Sequence, residues 1–231
     1  MAVNLESIRK RALELSGQRK TSSVQLWKPG AGEYTIRAIP WKPTQLVDGI
    51  PFIERRFYYL GDLPRILAPS QFGKPDPIAA LMSKLYSTRN ADDREMAKKL
   101  QPKMTAYMAI VVRGEEDKNV QVYGFNKFVY QRFLSFFTNQ AVNPDLVDYM
   151  DPLEGIDMSV AVKPSGKVYN GKPVMDFTFD LGRRSSKLSN DPAQAQKWID
   201  SVPNLDDMFT QKTEKEVESA LNIWLSGGVE A

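Results

Sequence analysis

The chain of 231 residues contains neither cysteine nor histidine, which excludes disulfides, thiolate or imidazole metal sites and imidazole-dependent catalytic triads. With 42% hydrophobic and 26% charged residues, it has the composition of a globular protein able to build one sizeable core with a subdomain. Its net charge of +3 hides an asymmetry: residues 191–231 hold eight acids and three lysines, a balance of −5, which leaves +8 on residues 1–190. A basic body with an acidic end is consistent with a polyanion site whose access the chain's own acids tune, and equally with charges that decorate solvated helices. No apolar run approaches the roughly 18 residues of a membrane span. The opening Met1-Ala2-Val3-Asn4-Leu5-Glu6 lacks the apolar stretch of a secretory signal, so a soluble, intracellular protein is expected.

In chain order, residues 4–16 are predicted to form an amphipathic helix with Asn4 as N-cap and Leu5, Ile8, Ala12 and Leu15 on one stripe. A polar, basic linker follows, with Arg19, Lys20, Thr21, Ser22 and Ser23. After the Pro29-Gly30-Ala31-Gly32 turn, Glu33–Ile39 alternates as a strand, with Tyr34, Ile36 and Ala38 on one face and Thr35, Arg37 and Ile39 on the other. A second strand covers Phe52–Leu60. The insertion at about 61–102 is rich in chain breakers and then helical, with Asp76 as N-cap, Pro77 at the first helical position and Ile78, Leu81, Met82 and Leu85 as the stripe; a charged helix spans about Asp92–Leu100.

Thr105–Arg113 places Ala106, Met108, Ile110 and Val112 on one parity, the expected core face, with Tyr107 and Arg113 on the other. In the next strand Val120 and Val122 are read as inward, so Tyr123 and Phe125 are expected to join Tyr107 on a shared non-core face. Asn126 caps a helix to about Phe137, whose Val129, Phe133 and Phe136 are expected to seal one end of the sheet. Ile156–Val162 is a strand, and Asn170-Gly171 signals a hairpin whose return strand alternates from Val174 to Leu181. Helices are expected to start at Asp191-Pro192 and at the capping box Thr213-x-x-Glu216, the last one bearing Val217, Ala220, Leu221 and Trp224. Strong alternation without a βαβ rhythm gives a mainly β chain with peripheral helices (α+β). An OB-type five- to six-stranded antiparallel barrel with a helical insertion is the first reading, and a β-sandwich with appended helices gives much the same pattern.

Cations interleaved with rings mark the candidate site. Arg55-Arg56-Phe57-Tyr58-Tyr59 and Lys103-Met104-Thr105-Ala106-Tyr107, with Arg113, Tyr123, Phe125 and Lys127, offer charges for phosphates and rings for bases, the pairing that single-stranded nucleic acid needs. Tyr58 and Tyr59 point to opposite faces of their strand, so one of them at most stacks from the strand proper. A metal-dependent nuclease built on Asp151, Glu154 and Asp157, or on Glu116-Asp117-Lys118, remains chemically open without histidine. Its acids lie on separate loops and turns, which argues against one metal. A purely structural or assembly protein is the third class.

The order of Tyr34-Thr35-Ile36-Arg37-Ala38-Ile39-Pro40, Lys103-x-x-x-Tyr107 with Ile110-Val111-Val112, Tyr123-Gly124-Phe125-Asn126-Lys127, Asp151-Pro152-Leu153-Glu154-Gly155 and Pro203-Asn204-Leu205-Asp206-Asp207 resembles the single-stranded DNA-binding (helix-destabilising) proteins of T-even-type bacteriophages over most of the chain. The resemblance implies an OB-fold core at residues 24–190 that coats single-stranded DNA during replication, recombination and repair in the cytoplasm of an infected bacterium. It implies no catalysis, and as partners single-stranded DNA, further copies of the chain along the strand, and replication proteins. Residues 1–23 would be the self-association arm, with Arg19 and Lys20 in a motif of similar composition, and 191–231 an acidic helical segment. Family members hold a zinc subdomain with histidine and cysteines where this chain has roughly Arg56–Leu85. Neither residue type occurs here, so no cofactor is expected, and packing of Phe72, Ile78, Leu81, Met82 and Leu85 is expected to hold the insertion.

Overall fold

The computed structural model describes residues 26–169 and 171–227. The predicted N-terminal helix and the Arg19–Lys20 motif lie outside them. Seven antiparallel strands form one sheet: β1 (Gly32–Ile39), β2 (Ile53–Tyr58), β3 (Ile66–Leu67), β4 (Lys103–Val112), β5 (Gln121–Phe125), β6 (Ile156–Tyr169) and β7 (Lys172–Ser185). Among the described residues five helices accompany them: α1 (Pro77–Ser87), α2 (Ala91–Lys99), α3 (Lys127–Thr138), α4 (Pro192–Ser201) and α5 (Glu214–Leu225). The α+β, mostly β class is therefore as expected. The sheet is open rather than closed, because β5 and β7 are not hydrogen-bonded to each other.

β4 organises the sheet. One of its edges receives β2 along Lys103–Tyr107 and then β1 along Ala109–Val112, so β1 and β2 follow one another like a single strand interrupted by a loop. Its other edge takes β5. β1 in turn pairs with β6, and β6 with β7 in a long hairpin whose outermost pair is Tyr169 with Lys172. Ahead of β1, the Trp27 backbone N–H donates to the Val122 carbonyl at 2.8 Å.

Among the described residues there are three apolar clusters. The first collects one face of the sheet (Ile36, Ala38, Ala106, Met108, Ile110, Met158, Val160, Phe179) under α3, which supplies Tyr130, Phe133 and Phe136. The second lies on the opposite face: Ile39, Ile53, Phe57, Tyr107, Ala109, Val111 and Val122 are covered by Trp41, by Trp198 of α4 and by Leu205. In the third, α1 and α2 pack with α5 through Ile78, Leu100, Val217 and Leu221 against Tyr58, Leu60 and Ile66. Ile78, Leu81, Met82 and Leu85 hold the insertion as expected, but Phe72 packs into the second cluster instead.

Helix caps follow the sequence. Asp76 accepts from the Ala79 N–H, Asn126 from Phe128 and Val129, and Asp191 from Ala193, while Thr213 and Glu216 complete the capping box. Each satisfies backbone donors that a helix start leaves without an intrahelical partner.

Candidate nucleic-acid interface

The shared aromatic face expected for Tyr107, Tyr123 and Phe125 does not form. In β5, Tyr123 stands opposite Met108 and Phe125 opposite Ala106, so both rings project with the apolar parity of β4 into the first cluster. Tyr107 stands opposite Gly124 and projects into the second. All three are buried, at 1%, 5% and 4% exposure respectively. Phe209 covers Tyr107 at 5.4 Å between centroids, while Tyr123 and Phe125 pack against Trp27, Phe133 and Phe179. A base cannot reach rings so enclosed. The reason is that β4 is covered on both sides, so its non-apolar parity is interior as well.

Three further candidates are engaged within the fold. Tyr58 is buried in the third cluster and donates its hydroxyl to Asp76 Oδ2 at 2.9 Å; burial pushes its phenol upward from the ordinary value, and the hydrogen bond to Asp76 adds to this. Arg55 donates through Nε and Nη2 to Asp206 Oδ1 at 3.0 and 2.5 Å, and its guanidinium lies 5.5 Å from the centre of the Phe72 ring. Arg113 donates from Nε and Nη2 to the Asp157 carboxylate at 3.1 and 2.9 Å and from Nη1 to the Leu188 carbonyl.

Asp157 binds a second cation, Arg37, whose Nη1 reaches it at 3.3 Å and whose Nη2 donates to the Asp151 and Ser186 carbonyls at 2.6 and 2.9 Å. Arg37 is wholly buried, and desolvation lowers its pKa against the opposing pull of Asp157. The Asp151 carboxylate accepts from the Leu153 and Glu154 N–H groups, which hold it below the usual carboxylate range. Asp151 and Asp157, two of the acids of the nuclease reading, thus serve the fold, and among the described residues no cluster of three or more acids is placed to hold a metal ion.

What remains on the surface lies, by strand register, toward the Lys103 end of β4, with Arg56 and Lys103 on opposite faces of the sheet. Lys103 opens that strand and is exposed, and its Nζ stands 5.3 Å from the centroid of Tyr59, itself 42% exposed just beyond β2. Arg56, exposed, pairs opposite Met104 on the other face of the sheet. Lys127, also exposed, begins α3 two residues after β5, whose first turn carries no acid to offset the positive helix end.

Two residues of this region were not singled out from the sequence. Phe128, beside Lys127, is 79% exposed; its position off the Val129–Phe133–Phe136 stripe is the signal that marks it. Arg65 lies over Phe57 at 4.3 Å and over Phe209 at 5.5 Å, a contact made by chain segments far apart in sequence.

A scan of protein-family models gives no match. A search of curated proteins likewise finds no similar sequence. Among the described residues no helix is long and apolar enough to cross a membrane.

Proposed function

We propose that the protein binds single-stranded DNA without sequence preference and without catalysis, through the exposed end of β4. The observation that carries this reading is the Tyr59–Lys103 pair, a solvent-facing ring with an ammonium over it; Arg56 on the opposite sheet face and Lys127 at the start of α3 are further exposed cations. Rings stack on any base and cations meet any phosphate, so such a surface is indifferent to sequence. The motif resemblance described above supports the same reading, as does the +8 balance of residues 1–190.

Connectivity supports an OB-type core. β1, β4 and β5 form a meander, α3 packs under it, and the β6–β7 hairpin returns to pair with β1. In OB-folds the loop between the first two strands lines the oligonucleotide site. Here the insertion takes that place: Tyr59 stands at its start and Lys103 at its end. Binding during phage replication, recombination and repair, with self-association and replication proteins as partners, belongs to the same proposal.

The test is anisotropy of a dye-labelled polypyrimidine strand and a matched duplex, titrated with the full chain across a salt series. Preference for the single strand is expected, with log K falling against log salt. Three phosphates on Arg56, Lys103 and Lys127 give a slope of about −2.1, at about −0.7 for each. Equal binding of both forms, or no binding at low salt, would sink the proposal.

A further inference from the structure

On the far side of the sheet from the insertion, β6 and β7 slip out of register. Met158 pairs with Leu181 but Ile156 with Ser185, so Gly182, Arg183 and Arg184 bulge out of the ladder. Glycine is required at the first of these positions, since a Cβ there would stand 2.8 Å from the Asp157 carbonyl oxygen. Bulges re-aim side chains. This one lifts two consecutive arginines to the rim of a groove of about 720 Å³. Val142, Val147, Ile156 and Leu181 contribute its apolar lining.

The wall opposite the arginines is fixed. Asn143, 3% exposed, donates to the Phe136 and Val147 carbonyls and accepts from the Val147 N–H, tying the loop to the end of α3. Leu146 in that loop holds a left-handed backbone at φ +47°, a strain that persists only where the surroundings impose it. Both arginines are exposed, and neither makes an ion pair or a side-chain hydrogen bond among the described residues. Of the acids, Asp145 alone lines the groove.

We infer that this groove takes a second stretch of the same DNA strand, with Arg183 and Arg184 on two successive phosphates and a base against the apolar lining. The inference rests on the proposed function and extends it. A guanidinium fork fits phosphate oxygens and also lies flat on bases, whereas a long aliphatic ligand would leave both charges without partners. α3 links the two regions: it starts at Lys127, two residues beyond β5, and ends against the loop that walls the groove. At 1.5 Å per residue its twelve residues cover about 18 Å, so only a strand of sufficient length reaches both.

The experiment compares the full-length wild type with R183S/R184S on oligothymidylates graded over about 4–16 nucleotides, the range of OB-fold site sizes. Expected is equal affinity for the shortest strands, a loss of tenfold or more for the longest, and a salt slope on long strands shallower by about 1.4, two phosphates at about 0.7 each. Identical affinities and slopes at every length, in a variant with wild-type thermal unfolding, overturn the inference and leave the groove to an acidic protein segment; the proposed function then still stands on Tyr59 and Lys103. If the wild type binds no strand of any length, both fall. R183K/R184K keeps the charge and is expected to retain the wild-type slope, which separates loss of phosphate contacts from damage to the bulge.

Discussion

Arg37 has no exposed surface and no route to water, so its charge is tolerable only because Asp157, Ser186 and the Asp151 carbonyl surround it. Asp157→Asn leaves two arginines sharing a neutral amide, Arg37 fully buried among them. Loss of one partner of a buried pair costs about 3–5 kcal/mol; the partial exposure of Asp157, 27% of its side chain, places the expected loss near the lower end, read as a lower urea midpoint with an unchanged slope. Asp151 is held in its ionised form by two backbone N–H groups, so its contribution is complete above its ordinary value of 3.8 and disappears as pH falls through the lowered one. Tyr107 works in the opposite direction. Burial raises its phenol from 10.0 to about 12, so between those values the unfolded chain has lost a proton that the folded chain keeps, and stability is expected to fall as pH rises. Denaturant unfolding in that window, compared with Tyr107→Phe, measures the effect: the variant should lose less stability with pH. At the proposed interface, Tyr59→Ala is expected to weaken strand binding by about 1–3 kcal/mol per stacked base while leaving the melting temperature in place, since the ring is 42% exposed.

At the level of elements, the β4–β5 hairpin shows how a correct strand assignment coexists with a wrong face. Both strands and their alternation are legible in the residues, and the parity of Ala106, Met108, Ile110 and Val112 is correctly interior. Phase cannot be carried across the turn at Gly114–Asn119, because the pairing of Met108 with Tyr123 is decided by the length and shape of that turn and not by either strand alone. Valines 120 and 122 are as apolar as Tyr123 and Phe125, so hydropathy does not choose between the two phases. Gly124 records the outcome: a Cβ there would stand 2.8 Å from Tyr107 Cε1 and 3.2 Å from Cδ1. Gly124→Ala must displace a ring that Phe209 already confines, and is expected to cost about 1–3 kcal/mol by overpacking, checked by thermal unfolding. The helices were easier to read, because their caps and stripes are local: Asp76 and Asn126 each close a first turn within three residues of themselves.

Over the whole molecule, the C-terminal region does not stand apart as an acidic appendage. Trp198 and Leu205 cover the outer face of β4, Phe209 lies over Phe57 and Tyr107, and α5 closes the insertion against Tyr58 and Leu60. Leu221, 5% exposed in that last contact, is expected on replacement by alanine to cost about 2–5 kcal/mol. Because α1, α2 and α5 share one cluster, the loss of hydrogen-exchange protection should concentrate in the insertion helices and spare β1, β4 and β6.

The residues alone determine the helix starts, the strand alternation, the hairpin at Asn170-Gly171, the apolar stripes, and the absence of cysteine and histidine chemistry, since each depends on neighbours within a few positions or on composition. Only the tertiary structure decides which cations and rings face water. Arg55 finds Asp206, Arg113 finds Asp157 and Tyr107 finds Phe209 across separations that no local pattern encodes. Tyr59, Lys103, Arg56 and Lys127 stay on the surface for the complementary reason, that among the described residues no distant segment folds over them. A strand with one covered face would have left its second parity in solvent, and it is the return of the chain after β7 that turns β4 into a strand with two interiors.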